Sequence, residues 1–166
     1  MVHVPAGRRI VVGVDGSAAS AAAMRWAVRE ARLRHLTLHL VCSYHSDAKL
    51  HAPYASQSWT AHRDERYAAA QAALDATAEL ARHRLPPGRL VAELVSEPPA
   101  RALLDRAAGA EMLVLGATRP DRRPGQPPLA LGPVARLCLR LAQCPVVVVG
   151  CPAVADADAA GLRHLV

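Results

Sequence analysis

The sequence has no phenylalanine and no asparagine, and only one lysine (Lys49) and one isoleucine (Ile10). Each shortage excludes chemistry. A phosphate-binding P-loop needs a lysine inside a glycine-rich turn to meet the β- and γ-phosphates, and Lys49 has no such neighbours. A phosphoryl-accepting receiver domain pairs an acidic pocket with a lysine near its last strand, where this chain has none. Schiff-base catalysis would rest on Lys49 alone, in a loop-like stretch. Two tryptophans and three tyrosines offer little stacking surface for single-stranded nucleic acid. The four cysteines (Cys42, Cys138, Cys144, Cys151) form no Cys-x-x-Cys pair and stand near no histidine at zinc-ligand spacing. No Gly-x-Gly-x-x-Gly fingerprint follows the first strand-like run, and no Gly-x-Ser-x-Gly elbow occurs anywhere. Neither a nicotinamide-binding fold nor an α/β-hydrolase fits.

What is present is the content of a folded globule. In 166 residues, 52% are hydrophobic and 20% charged, within the range of a single domain with one sizeable core. Alanine (35 residues) and arginine (19 residues) dominate, a skew of the kind that coding bias produces. The net charge of +6 is spread evenly, since residues 1–83 and 84–166 each hold ten bases and seven acids. An even spread reads as a solvated basic surface, so nucleic acid is not an expected partner. Residues 1–10 hold no apolar signal core and no apolar run approaches a membrane span, so a cytoplasmic setting without membrane contact, with reduced thiols, is expected.

Strand-like and helix-like periods alternate along the chain. Residues 8–14, 36–43, 89–95, 111–116 and 146–149 read as apolar or β-branched strands. Between them, residues 17–34, 59–84, 98–108 and 129–142 read as helices, the third opened by Pro98 and Pro99. In the first helix Ala23, Ala27 and Ala31, with Met24 and Val28, form the core face, while Arg25, Arg29 and Arg32 face water. Residues 44–58 and 117–128 read as loops, and residues 151–166 as a tail separate from the domain at 1–150. Such alternation specifies an α/β fold: a Rossmann-like, doubly wound, five-stranded parallel sheet with helices on both faces. With strand order 3-2-1-4-5, the first and fourth strands meet at the topological switch point, outside whose carboxyl ends ligands bind.

The segment at that point runs Val14-Asp15-Gly16-Ser17. Asp15 can hydrogen-bond a ribose hydroxyl or an adenine amine, and Asp15 or Ser17 can instead cap the first helix. One residue can do both. With Ile10-Val11-Val12-Gly13 before it, and Ser20 and Trp26-Ala27 after it, this segment resembles the universal stress protein family. Residues 99–108 and 111–116, then Leu129-Ala130-Leu131-Gly132 and Cys144-Pro145-Val146-Val147-Val148-Val149, resemble later parts of the same family in order, so the likeness spans residues 8–150.

The resemblance implies the strand order 3-2-1-4-5, a cytoplasmic role in stress adaptation, and a homodimer that pairs through the last strand (Val146, Val147, Val148, Val149). A further, unidentified protein partner fits such a regulator. Some members bind ATP and others do not. In those that do, the loop after the fourth strand reads Gly, two residues, Gly, nine residues, then Gly with Ser or Thr. Here Gly116 takes the first position and Arg119 the second, and fifteen residues separate Gly132 from Gly116 where the pattern has twelve. Pro133 then replaces the hydroxyl residue and has no N–H for a phosphate. Arg119, Arg122 and Arg123 bring three cations to that loop, either for phosphate or as a solvated basic stretch.

The implied nucleotide pocket is therefore Val14, Asp15, Val41 (by its backbone, at adenine), Gly116, Arg119 and Gly132, with its adenosine half more intact than its phosphate half. No catalytic residue and no resident metal are expected, and Mg²⁺ would arrive only with ATP. His39, His45 and His51 are spaced six apart but cross a strand and a loop. The leading expectation is a dimeric binding module without enzyme activity, weak ATP hydrolysis being the one reaction left open. The alternative is an adenine-nucleotide sensor.

Overall fold

Short β-branched and leucine-rich runs become strands here because both of their faces find apolar cover. A computed structural model describes residues 8–45, 58–117 and 130–150, with side chains described from residue 64 onward in the second helix. The elements are β1 (Arg9–Val14), α1 (Ala18–Arg34), β2 (Thr37–Ser43), α2 (Ser58–Arg82), β3 (Leu90–Val95), α3 (Pro99–Ala107), β4 (Met112–Ala117), α4 (Pro133–Leu141) and β5 (Val146–Gly150). All strand pairs are parallel, as the alternation of strands and helices predicts, and the sheet order is β3-β2-β1-β4-β5, as the family resemblance implies.

Side chains alternate between the two faces. On one face Ile10, Val12, Leu38, Leu40, Met112 and Val114 pack beneath α1 and α2, which supply Ala23, Met24, Ala27, Val28, Ala31, Leu74 and Ala78. On the other, Val11, Val41, Leu113 and Leu115 pack beneath α3 and α4, which supply Leu103, Ala107, Ala135 and Cys138. Burying a strand on both sides explains the near-continuous apolar runs. Arg25, Arg29 and Arg32 are exposed, as their helical spacing predicts.

One helix boundary differs by more than two residues from the sequence reading. The fourth helix starts at Pro133 and not at residue 129, because Gly132 is its N-cap in an extended conformation (φ −64°, ψ 167°). The residue before a proline is pushed out of the helical region, while proline itself suits the first helical position. Residues 46–57, 118–129 and 151–166, with their loop and tail expectations, lie outside the described residues.

The first turn of α1 lies directly on β4. A Cβ added to Gly116 would fall 2.4 Å from the carbonyl carbon of Ala19 and 2.7 Å from the Ser20 nitrogen. Those are backbone atoms, which cannot swing aside. At Gly132 no described atom lies within 4 Å of such an added atom.

A polar cluster lies under α3. His39 is 1% exposed. Its Nε2 stands 3.0 Å from Glu93 Oε2, and since the carboxylate only accepts, Nε2–H donates. Arg106 donates to Glu93 Oε1 at 2.8 Å and to Glu97 Oε1 at 3.2 Å, and its carbonyl accepts from Arg9 at 2.9 Å. The guanidinium of Arg106 holds Glu93 below the usual carboxylate range. Nδ1 of His39 has no hydrogen-bond partner among the described residues.

Two predictions follow from this packing. Gly116→Ala should destabilise the protein by about 1–3 kcal/mol in a urea titration, the usual cost of forced overpacking. Gly132→Ala should change stability by less than about 0.5 kcal/mol. For His39, burial lowers the imidazole pKa below its ordinary 6.5, outweighing the opposing pull of Glu93. The unfolded chain therefore binds a proton at a pH where the folded chain does not. Stability from His39 is present above about pH 6.5 and lost as pH falls below it toward the depressed folded value. The urea midpoint should thus drop between pH 7 and pH 5, and His39→Gln should flatten that part of the curve; an equally steep curve in the variant would assign the effect to other groups.

Candidate functional site

The site arises where two neighbouring strands part. Strand β1 pairs with β4 only from Ile10–Met112 to Val12–Val114, whereas its pairing with β2 continues to Val14–Cys42. Beyond Val12 and Val114 the first turn of α1 occupies one side of the gap. The other side opens into a cavity of about 410 Å³ at the carboxyl ends of the strands. This is the crevice that a doubly wound sheet offers to ligands.

Val14, Asp15, Val41, Gly116 and Gly132 all line this cavity. Arg119, Arg122 and Arg123 lie outside the described residues. The cavity wall also includes residues that the sequence reading did not assign. Gly13 forms the floor with Leu103 and Leu115, and a Cβ on Gly13 would come within 2.9 Å of Leu115 Cδ2. Pro99 from α3 and Ser43 from β2 close one side, and Val134 and Ala135 of the first turn of α4 close another. The signal for Ser43 was its place two residues beyond Val41 on the same strand face. Nothing local marks Leu103, which reaches the site only through the packing of α3.

Asp15 and the two serines after it build the turn into α1. Gly16 is left-handed (φ 78°), which the missing Cβ permits. The Ser17 N–H donates to Asp15 Oδ1 at 2.9 Å. Ser17 is the N-cap, its Oγ accepting from the Ser20 N–H at 3.1 Å. Ser20 Oγ in turn donates to the Ser17 carbonyl at 3.0 Å. The capping alternative thus holds for both Asp15 and Ser17, and satisfies amides that a helix start leaves open. Burial pushes the Asp15 carboxyl upward, but hydrogen bonds from Ser17 and Ser20 together outweigh it and keep the group below its ordinary range. Asp15 is an exposed, ionised acceptor at the cavity rim.

At the opposite wall, α4 begins without a side-chain cap. Pro133 has no N–H, and Arg136 N–H already donates to the Gly132 carbonyl at 3.1 Å. The amides of Val134 and Ala135 are left without an intrahelical acceptor. The absence of a Cβ at Gly116 serves the approach of α1, whereas at Gly132 no described atom would meet one.

The three described thiols, Cys42, Cys138 and Cys144, are poorly suited to reaction. Burial, followed by the charge of Asp15, pushes Cys42 up to about 11. Burial also raises Cys138 and Cys144. All three stay protonated at neutral pH, and Cys42 donates weakly to the Ala70 carbonyl at 3.6 Å. Among the described residues no group of three or more His, Cys, Asp or Glu could hold a metal ion. No helix among them is long and apolar enough to cross a membrane.

Known proteins share this architecture. The model of the universal stress protein family matches residues 7–150. The universal stress protein Rv2623 of Mycobacterium tuberculosis is 32% identical over 142 residues, which cover 84% of this chain and 46% of that relative. The chain thus spans about half the length of the curated relatives it matches. Among solved structures, the universal stress protein UspA from Lactobacillus plantarum has a TM-score of 0.69 at 23% identity, over 86% of this chain and 97% of that one. The universal stress protein from Archaeoglobus fulgidus in complex with dAMP has a TM-score of 0.61 at 23% identity, over 86% and 97%. A five-stranded sheet in this order, a crevice between its first and fourth strands and a family match across nearly all of the chain lead to one conclusion: the chain belongs to the universal stress protein family.

Proposed function

We propose that this chain is a cytoplasmic stress-response module that acts by binding rather than by catalysis, taking an adenine nucleoside or nucleotide between β1, β4 and α4 and working as a homodimer. On this reading residues 1–150 form the functional unit and 151–166 an appended tail. The observation that carries it is the convergence of Val14, Asp15, Val41, Gly116 and Gly132 on one cavity. An apolar cavity with a few placed polar groups is the usual form of a small-molecule site. Asp15 would accept from a ribose hydroxyl or an adenine amine, Val41 would meet the base through its backbone, and Gly132 would give a phosphate room near α4. The A. fulgidus protein is in complex with dAMP, and other solved family members are in complex with cAMP or have AMP bound. The serine hydroxyls at the cavity are engaged within the turn or with the backbone, which supports a non-catalytic role.

Self-association rests on β5. Among the described strands it pairs only with β4, and all five of its residues are half-buried. An apolar edge strand of this kind is covered in most soluble proteins. Leu137 and Leu141 of the adjoining α4 are also exposed.

Two measurements test these readings separately. Protein stripped of ligand and heated with AMP at about one hundred times its dissociation constant should gain about 2.7 kcal/mol of stability. No change in melting temperature with millimolar adenosine, AMP or ATP would end the nucleotide reading. Val147→Glu should convert the dimer to monomer in sedimentation velocity; an unchanged sedimentation coefficient would remove β5 as the interface.

A further inference from the structure

We infer that His39 is a proton-operated latch on α3. When its imidazole takes a second proton, α3 and the segment at 96–99 leave the sheet ahead of the rest of the fold, and one wall of the cavity goes with them. The apolar hold on α3 is modest. The helix has nine residues and no side-chain cap, and it buries Leu103 and three alanines, Ala100, Ala102 and Ala107. Charge supplies the rest. Arg106 donates to both oxygens of Glu93 and to Glu97, while Arg9 of β1 donates to the carbonyls of Arg106 and Ala108 at the helix end. Pro99 and Leu103 of this helix line the cavity, as does Ser43, whose hydroxyl donates to the Glu97 carbonyl.

His39 lies beneath that network, 1% exposed. Its Nε2 shares Glu93 Oε2 with Arg106 Nε, at 3.0 Å and 3.3 Å. A second proton makes it a third cation, beside Arg9 and Arg106, on a carboxylate that Arg106 already occupies. Lifting α3 relieves this by letting water reach the ring. Burial lowers the imidazole pKa from its ordinary 6.5, Glu93 pulls it up, and Arg9 and Arg106 push it down again, with a net lowering. The released form therefore binds the proton where the latched form does not. Release is favoured as pH falls below about 6.5, by at most about tenfold per pH unit for one proton. Glu93, held down by Arg106, and Glu97, held down first by a backbone hydrogen bond, stay ionised across that range. Burial raises the Cys144 thiol, which lies in the field of Arg9, so it stays neutral. The other imidazole on this segment is His45, its Nδ1 2.8 Å from the Ser96 carbonyl.

Native-state hydrogen exchange of the full chain, read amide by amide in low urea and corrected for the intrinsic rate at each pH, tests the latch without any ligand. Amides 103–107 of α3 should exchange through a local opening that hardly depends on urea. Their protection should fall at least threefold between about pH 7 and pH 5.5. The β1 amides should exchange more slowly, with the urea dependence of global unfolding. If the α3 amides instead match β1 in rate and urea dependence, or their protection ignores pH, there is no latch. His39→Gln should abolish the pH response in α3, and His45→Gln should keep it; a response that survives the first or is lost with the second would overturn the assignment to His39. In the unmodified protein the His39 ring resonances should titrate with the same midpoint as the α3 amide shifts, a readout that does not depend on the variants folding. Separate midpoints would also overturn it.

Discussion

The parting of β1 from β4 beyond the Val12–Val114 pair is the constraint on which the rest of the molecule depends. Two parallel strands that follow helices on opposite faces cannot stay paired to their ends, because α1 must leave β1 across the top of β4. Here α1 does so at backbone contact, with Ala19 and Ser20 seated where a side chain of Gly116 would be. That contact holds the start of α1 against the sheet, and so fixes the turn carrying Asp15. The cavity is the space left on the other side. The site and the packing of the first helix are thus two faces of one geometric event.

A second tie operates at the far side of the sheet. Glu93 from β3 meets His39 from β2 and Arg106 from α3, and Arg9 from β1 holds the end of α3 through the carbonyls of Arg106 and Ala108. These bonds join three strands to one helix with directional contacts, where the apolar layers are non-directional. Glu97 carries the same network to the loop before α3, whose carbonyl receives Ser43. Ser43 and Pro99 are cavity residues. A half-buried ionic cluster and the cavity therefore share the segment that positions α3.

Strand positions and the face of α1 were legible because burial on both sides of a parallel sheet leaves long apolar runs, and a half-buried helix leaves a period. Val14, Asp15, Val41, Gly116 and Gly132 were legible as parts of one site because a family pattern names them together. The roles of two of them were not. Gly116 looks like a phosphate-loop glycine in sequence, and only the contact with Ala19 shows what a side chain there would strike. Asp15 offered a helix cap and a ligand contact, and in the structure its Oδ1 accepts from the Ser17 N–H. The start of α4 was misplaced because residues 129–131 have good helical character, while the restriction that Pro133 imposes on Gly132 is stronger. His39, Glu93 and Arg106 are 54 and 13 residues apart in succession, and no local period could join them.

The alanines of α1 carry a different lesson. Ala19, Ala22, Ala23, Ala27 and Ala31 are all buried, so the helix is held to the sheet by nearness more than by bulk. On the buried face of α1 only Met24 and Val28 are large enough to leave a sizeable hole when trimmed. Enlarging an alanine there has no such latitude, since a close-packed interior has no spare volume. Sequence drift on this face of α1 should therefore be lopsided: it can exchange one small residue for another, but it has little room to acquire bulk without lifting α1 from β4 and disturbing the crevice that depends on that seat.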